Sequence, residues 1–403
     1  MEGASPQTSW FNRKRLRAHG ILLALCLWSV YALDMSTHGQ IDRNGLIKGA
    51  DFLHFYTLGT LARHNRGDLL YDMRAQSAMW AFDPEVANYS YVPLYGPQVS
   101  LFFEPLAHLH YLRALALWLS INLLIYGFCC YALWRTCPNL RGDFWTVAIL
   151  AVAFPGFFHL IAWGQTSGLA LGCFTLAYLA LRRKRRWLAG LAVGCLIFKP
   201  QLGLAAAVLF VAAAEWRVVI GAVASAGVQL SLAWWHYGTA VMQNYARTLW
   251  RVRDVLVLLE PRPYQMHSLR AFWSLLLPWP DAAFGLYLLT AAAALAMAVQ
   301  CWRHEASLEL RFSALLLATV LVCPHLTVYD LVILAPVFLF LADCAMEPEI
   351  LEAAWLKTLL YACYPLFLLG PITRYTHLQL SVPAMAGVLG IVCLNASQQS
   401  VEE

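Results

Sequence analysis

Charge is scarce in this chain, and so is any stretch able to fold as a separate water-soluble unit. Only 13% of its 403 residues are Asp, Glu, Lys or Arg, while 60% are hydrophobic. A soluble domain carries about 25% charged residues and about 45–50% apolar ones. A soluble globular protein is therefore excluded, and an all-α polytopic membrane protein is indicated. The formal charge of +5 does not point to nucleic acid, because the basic residues stand beside apolar runs, where they set orientation. Heptads and low-complexity tracts are missing. No CxxC pair occurs, and most of the 11 cysteines, Cys129, Cys195, Cys301 and Cys393 among them, fall within hydrophobic segments. The long polar connections at 35–92 and 237–280 contain none. This excludes a disulfide framework and a zinc site, and leaves the cysteines as small buried hydrophobes. His108-Leu109-His110 has no acidic or cysteine partner nearby in sequence. Neither a metal nor a cofactor is expected.

What is present is a succession of apolar runs. Residues 13–17, RKRLR, precede a run from His19 to Leu33. It reads as a retained first helix, with a signal peptide as the lesser alternative, and it puts residues 1–18 in the cytoplasm. The connection 35–111 is then outside and holds a surface-lying amphipathic helix from Phe52 to His64, with Phe52, Phe55 and Tyr56 on one stripe and Gly67 as its stop. Pro93, Pro97 and Pro105 argue against a clean span at 88–111. Crossings follow at 112–134, 144–161 and 166–181, the last reaching the basic row Arg182–Arg186.

Residues 187–216, WLAGLAVGCLIFKPQLGLAAAVLFVAAAEW, break at Lys199-Pro200, and each half is too short for a span of about 20 residues. A helix out and a helix back fits; one long kinked helix is the rival. Further spans run from Arg217 to His236, over 281–301 after the outer connection 237–280, and from Arg311 to residue 322. The last three lie at 331–346, 353–369 and 376–394, before a cytoplasmic tail at 395–403. About twelve crossings result, forming one integral membrane domain over 1–403.

With this topology the polar groups gather outside: Asp51, Tyr91 to Pro97, Gln165, Lys199 to Gln201, the Arg-rich connection, and His325 to Asp330. Ionisable groups at membrane depth usually mark a site. DFLHFYTLGTLARHNRGDLLYD, then YVPLYGP, GQTSGL and AGLAVGCLIFKPQLGL, in this order, resemble glycosyltransferase family 87 over residues 20–345. The resemblance implies a GT-C fold and a polyprenyl-phosphate sugar as donor. It also implies a glycolipid or glycan acceptor, membrane lipids rather than nucleic acid as surroundings, and inverting transfer, with mannose the first sugar to consider. Two elements depart from the family pattern: Tyr91-Val92-Pro93 replaces its tyrosine-proline-proline, and CPHLTVYD replaces its later Ser-Pro, Trp and paired His.

By that resemblance Asp51 matches the early Asp and is the general base. An Asp in a first helical turn also has a capping or dipole role. Donor-phosphate candidates are Lys199, His325, Arg251 and Arg262, with Arg253 beside them. Lys199 could instead snorkel, His325 be structural, and the arginines be solvated. Sugar and acceptor candidates are Tyr91, Tyr95, Gln165, Gln201, His267 and Asp330. The tyrosines could equally belong to an interfacial belt, Gln165 close a turn and Asp330 cap the next helix. A transporter or flippase of a lipid-linked sugar is the alternative from another class.

Overall fold

The structure, a computed structural model, describes residues 13–80, 91–252, 259–260, 262–304, 306–347 and 353–402. Arg253 and the glycosylation-type triplet Asn88-Tyr89-Ser90 lie outside them. In order come α1 (Arg13–Met35), α2 (Ala50–Arg63), α3 (Met73–Ala78), α4 (Gln98–Phe103), α5 (Tyr111–Trp134) and α6 (Phe144–Val152). Next are α7 (Pro155–Trp163), α8 (Ser167–Arg182), α9 (Arg186–Gly194), α10 (Pro200–Ala212), α11 (Trp216–Trp250) and α12 (Leu269–Leu276). The remainder is α13 (Pro280–Arg303), α14 (Leu308–Val322), α15 (Ala335–Cys344), α16 (Ala353–Leu366), α17 (Gly370–Thr376) and α18 (Ser381–Glu402). Among the described residues, β structure is limited to two isolated bridges, Ile41 with Ile47 and Met266 with Thr327.

Among the described residues five helices, α1, α5, α11, α13 and α18, are long and apolar enough to cross a membrane; the bent pairs α6–α7 and α16–α17 raise the number to seven. Shorter apolar helices of 10–17 residues fill the stretches from Ser167 to Arg182 and from Arg186 to Ala212. Every apolar run read from the sequence is helical, but several expected crossings are shorter than a full span. The reason is visible at α14. Its residues from Phe312 to Val322 are all buried inside protein, against α13, α15 and α18. A helix wrapped by its neighbours meets no lipid, so bilayer thickness does not set its length.

The chain doubles back at Lys199 rather than continuing as one long kinked helix. Lys199 has φ −137° and ψ 66°, off the helical region, and Pro200 opens α10 at the position that needs no N–H donor. Arg186, at the start of α9, pairs with Glu215, just past α10, at 3.4 Å. The two legs therefore return to the same end, with Lys199 at the tip. α11 then runs beside α9, so close that a Cβ on Gly190 would sit 2.2 Å from the Val218 carbonyl oxygen. Glycine permits such backbone approach. α11 itself is interrupted at Gly238, with φ 78° and ψ 177°, next to where the apolar run was expected to end at His236.

Side-chain bonds sort the molecule into two ends. At one, Arg17 meets Asp143 at 2.5 Å, Tyr178 donates to Glu309 at 2.6 Å and Arg186 meets Glu215. At the other lie Lys48, α2, Tyr91, Gly164, Lys199, His267 and residues 323–330. They are linked by bonds such as Tyr111 Oη to the Lys48 carbonyl at 2.7 Å and the His267 amide to the Leu326 carbonyl at 3.0 Å.

α2 differs from its expectation. It starts at Ala50, ends at Arg63 and does not lie on a surface: Phe52, Leu53, His54 and Phe55 in succession are all buried. It packs under α4 and the turn at Glu104–His108, with Phe55 stacked on Phe103 at 5.0 Å and Phe52 on Trp118 at 6.4 Å. Four buried side chains in succession face every side of a helix, so α2 is an interior helix there. Its stop comes from Asn65, at φ 54°, before Gly67 is reached.

Candidate active site

Asp51 occupies the second position of α2, behind Gly49 at φ 64°, and the helix has no side-chain cap. Its carboxylate is not spent on α2. Oδ2 accepts a hydrogen bond from Gln165 Nε2 at 2.7 Å. Gln165 gets there because Gly164 ends α7 in the left-handed region, φ 69°, and presses against α2; a Cβ on Gly164 would lie 2.8 Å from Phe52 Cβ. Trp118 Nε1 holds the Gly164 carbonyl at 2.9 Å, and Asn122 donates to the Gln165 carbonyl at 3.2 Å. The glutamine is thereby fixed in direction, and its own Oε1 accepts from the Thr166 amide at 3.1 Å.

Two residues further on, Ser167 opens α8. Its hydroxyl donates to Asp330 Oδ1 at 2.5 Å and accepts from Lys199 Nζ at 3.0 Å. Lys199 and Asp330 form a buried ion pair at 2.5 Å, their side chains 4% and 1% exposed. The Lys199 ammonium also lies 5.0 Å from the centre of the Tyr329 ring. Asp330 closes a capping box with Thr327, receiving the Thr327 amide on Oδ2 at 3.2 Å. The cap reading of Asp330 and its reading as a site carboxylate thus both describe the same side chain, one oxygen for each.

Asp51 is half-buried. Burial pushes its carboxyl up to about 6, against the Gln165 hydrogen bond and the charges of Lys199 and His325, which pull it down, while Asp330 adds to the rise. These same influences show that Asp51, Lys199, Asp330 and His325 share one electrostatic neighbourhood. A carboxylate titrating near neutrality is suited to accept a proton.

The other candidates distribute unevenly. Tyr95 is within electrostatic reach of Lys199, Asp330 and Asp51, and its ring lies 5.7 Å from His54. Tyr91 bonds the Ala50 carbonyl through its hydroxyl and sits against His54 at 5.1 Å. Arg262 lies over Trp163, 5.7 Å from the ring centre, one residue before Gly164. His325 Nδ1 meets Glu260 at 3.0 Å. Gln201 is half-buried in the first turn of α10. His267 is turned away: 1% exposed, it bonds Ser381 at 2.7 Å and packs near Phe367. Arg251 lines a cleft of about 550 Å³ with Arg74, Arg247, Asp68 and Asp72, a lining that does not include Asp51, Lys199 or Asp330.

Sequence reasoning missed Ser167, Tyr329, Glu260 and Arg270. Ser167 stood inside the GQTSGL motif. Glu260 is one of two acids among the many arginines of the 237–280 connection, and that imbalance was a usable signal.

An all-helical membrane protein that concentrates a raised carboxylate, a buried cation and polar ring systems at one end belongs to the class of integral membrane enzymes. The family model for Glycosyltransferase family 87 matches residues 94–324, more than half of the chain. The chain belongs to glycosyltransferase family 87. It is a glycosyltransferase, with a sugar donor and an acceptor, and the transporter alternative is set aside. No curated protein and no solved structure matches it. The matched stretch contains Tyr95, Gln165 and Lys199; Asp51 and Asp330 lie on either side of it.

Proposed function

We propose that the chain is an inverting hexosyltransferase of GT-C type, with about twelve membrane passages counting its short helices. It takes a sugar, mannose first among candidates, from a polyprenyl-phosphate donor. It gives the sugar to a glycolipid or glycan of the cell envelope, at the periplasmic face of the inner membrane. Asp51 is the general base. The acceptor hydroxyl oxygen attacks the anomeric carbon while the bond from that carbon to the phosphate oxygen breaks. The hydroxyl proton passes to Asp51, and the polyprenyl phosphate departs. One displacement inverts the anomeric centre.

The observation that carries this reading is the joining of two carboxylates and a cation by one short element: Gln165 bonds Asp51 and Ser167 bonds both Lys199 and Asp330. Fixed donors aimed at developing charge, away from bulk water, are what a departing phosphate requires. Lys199, His325 and Arg262 supply them. Because Lys199 is already paired, the phosphate competes with Asp330 for it. Tyr91, Tyr95 and Gln165 remain for sugar hydroxyls and faces. The orientation follows from the basic rows at the opposite end.

Purified protein supplied with a panel of radiolabelled polyprenyl-phosphate sugars and host lipid extract tests the proposal. A labelled, anomerically inverted product is expected. Turnover of nucleotide sugars alone, or a product retaining configuration, would refute it.

A further inference from the structure

Glu260 lies in the outer connection, and no motif led to it. Its Oε1 meets His325 Nδ1 at 3.0 Å and also pairs with the Arg270 guanidinium. Arg270 Nε in turn donates to the carbonyl of Pro324, the residue before His325. One carboxylate and one guanidinium therefore grip His325 through both its ring and its backbone. Burial would raise the Glu260 carboxyl, yet the His325 hydrogen bond and the Arg270 charge hold it below the ordinary range. It is a carboxylate in place, not an acid waiting to be ionised.

An imidazole has two nitrogens, and the bond made by one determines what the other offers. With Nδ1–H donated to Glu260, Nε2 is the nitrogen left for a ligand. The charged groups facing this histidine are Glu260, Arg270 beyond it, and Asp51, whose carboxyl feels the His325 charge.

We propose that Glu260 is a positioning residue for donor phosphate. It fixes Nδ1–H and the direction of the His325 ring so that Nε2 faces a phosphate oxygen of the polyprenyl-phosphate donor. With the donor bound, its negative charge supports the doubly protonated ring: Nε2 takes up a proton from water, and Nε2–H donates to that anionic oxygen. This rests on the assignment of His325 to the donor phosphate made above.

The test uses full-length protein in detergent with Glu260→Gln, Glu260→Ala and His325→Gln. Polyprenyl phosphate without sugar is the binding probe, and ¹⁵N spectra of labelled histidine report the tautomer. Glu260→Ala should weaken polyprenyl phosphate binding about tenfold, the low end of what losing an outer partner costs a ligating histidine at metal sites. It should also release the fixed Nδ1–H tautomer and lower kcat, leaving the KM for acceptor unchanged. Glu260→Gln keeps an acceptor oxygen but no charge, so it should hold the tautomer while still losing part of the affinity. In a His325→Gln background Glu260→Ala should add nothing. An unchanged tautomer and affinity in Glu260→Ala, or an equal loss in the His325→Gln background, overturns the proposal. Should Glu260→Ala fail to fold, undiminished affinity in Glu260→Gln does the same. Wild-type protein that binds no polyprenyl phosphate defeats the donor assignment, while the tautomer spectra still decide whether Glu260 governs His325.

Discussion

The two ends of the molecule use the same kinds of charge in opposite ways. At the basic end, Arg13 and Arg17 meet Asp143 with the arginine side chains 61% and 41% exposed and the carboxylate 6%, and Arg186, 54% exposed, meets Glu215. An arginine that keeps its charge in water contributes little to such a pair, about 0–1 kcal/mol. At the Asp51 end, Lys199 and Asp330 are almost wholly enclosed. An enclosed pair is maintained against a desolvation penalty of several kcal/mol per ion. The basic end therefore keeps its cations where they cost little. The other end encloses its charge where it is costly, as functional sites in membrane proteins commonly do.

The largest predicted effect breaks this contrast at its acid. Asp51→Asn should slow sugar transfer by about 10²–10⁴-fold, the range for loss of a general base. Retention of more than a few per cent of activity would remove Asp51 from that role. The same variant should be no less stable than wild type at pH 8. With a folded-state carboxyl raised to about 6, stability tied to this group is present at low pH and is lost as pH rises through about 6. Thermal unfolding in detergent at both pH values measures it.

Second in size is the enclosed pair. Lys199→Met or Asp330→Leu alone should cost about 3–5 kcal/mol, because each strands an unpaired buried charge. The double variant should regain most of that stability without regaining transfer. A loss in the double variant equal to the sum of the two single losses would mean that the two residues do not act as a pair.

Third is pH dependence. Transfer should rise with pH through about 6 and level off above it, because only ionised Asp51 accepts a proton. Gln165→Leu removes a hydrogen bond that favours the charged form, so the midpoint should move upward. A midpoint near 4 in wild type contradicts the burial that raises Asp51. The smallest effect belongs to the basic end: Arg13→Gln, at a side chain 61% exposed, should change stability by about 1 kcal/mol or less. A greater loss would erase the distinction between the ends.

Much of this arrangement was legible because it depends on local chemistry. Lys199-Pro200 broke the helix where a lysine at membrane depth met a residue without an N–H, and Gly238 interrupted α11 beside the predicted end of its apolar run. The basic row at Arg182–Arg186 identified one end of α8 and the start of α9. What escaped depends on partners far along the chain. α2 read as a surface helix because nothing within it announces that α4 and the Glu104–His108 turn will cover it. Ser167 and Asp330 are 163 positions apart. His267 and Arg251 looked like their neighbours in composition, and only the packing turned one toward Ser381 and the other into a cleft that Asp51 does not line.

The spacing between Gln165 and Ser167 has a further cost. Two adjustments that an evolving enzyme would want to make separately, one at the proposed proton acceptor and one at the proposed anion seat, are soldered to a single turn of backbone. An insertion or a shift of register there detunes both at once.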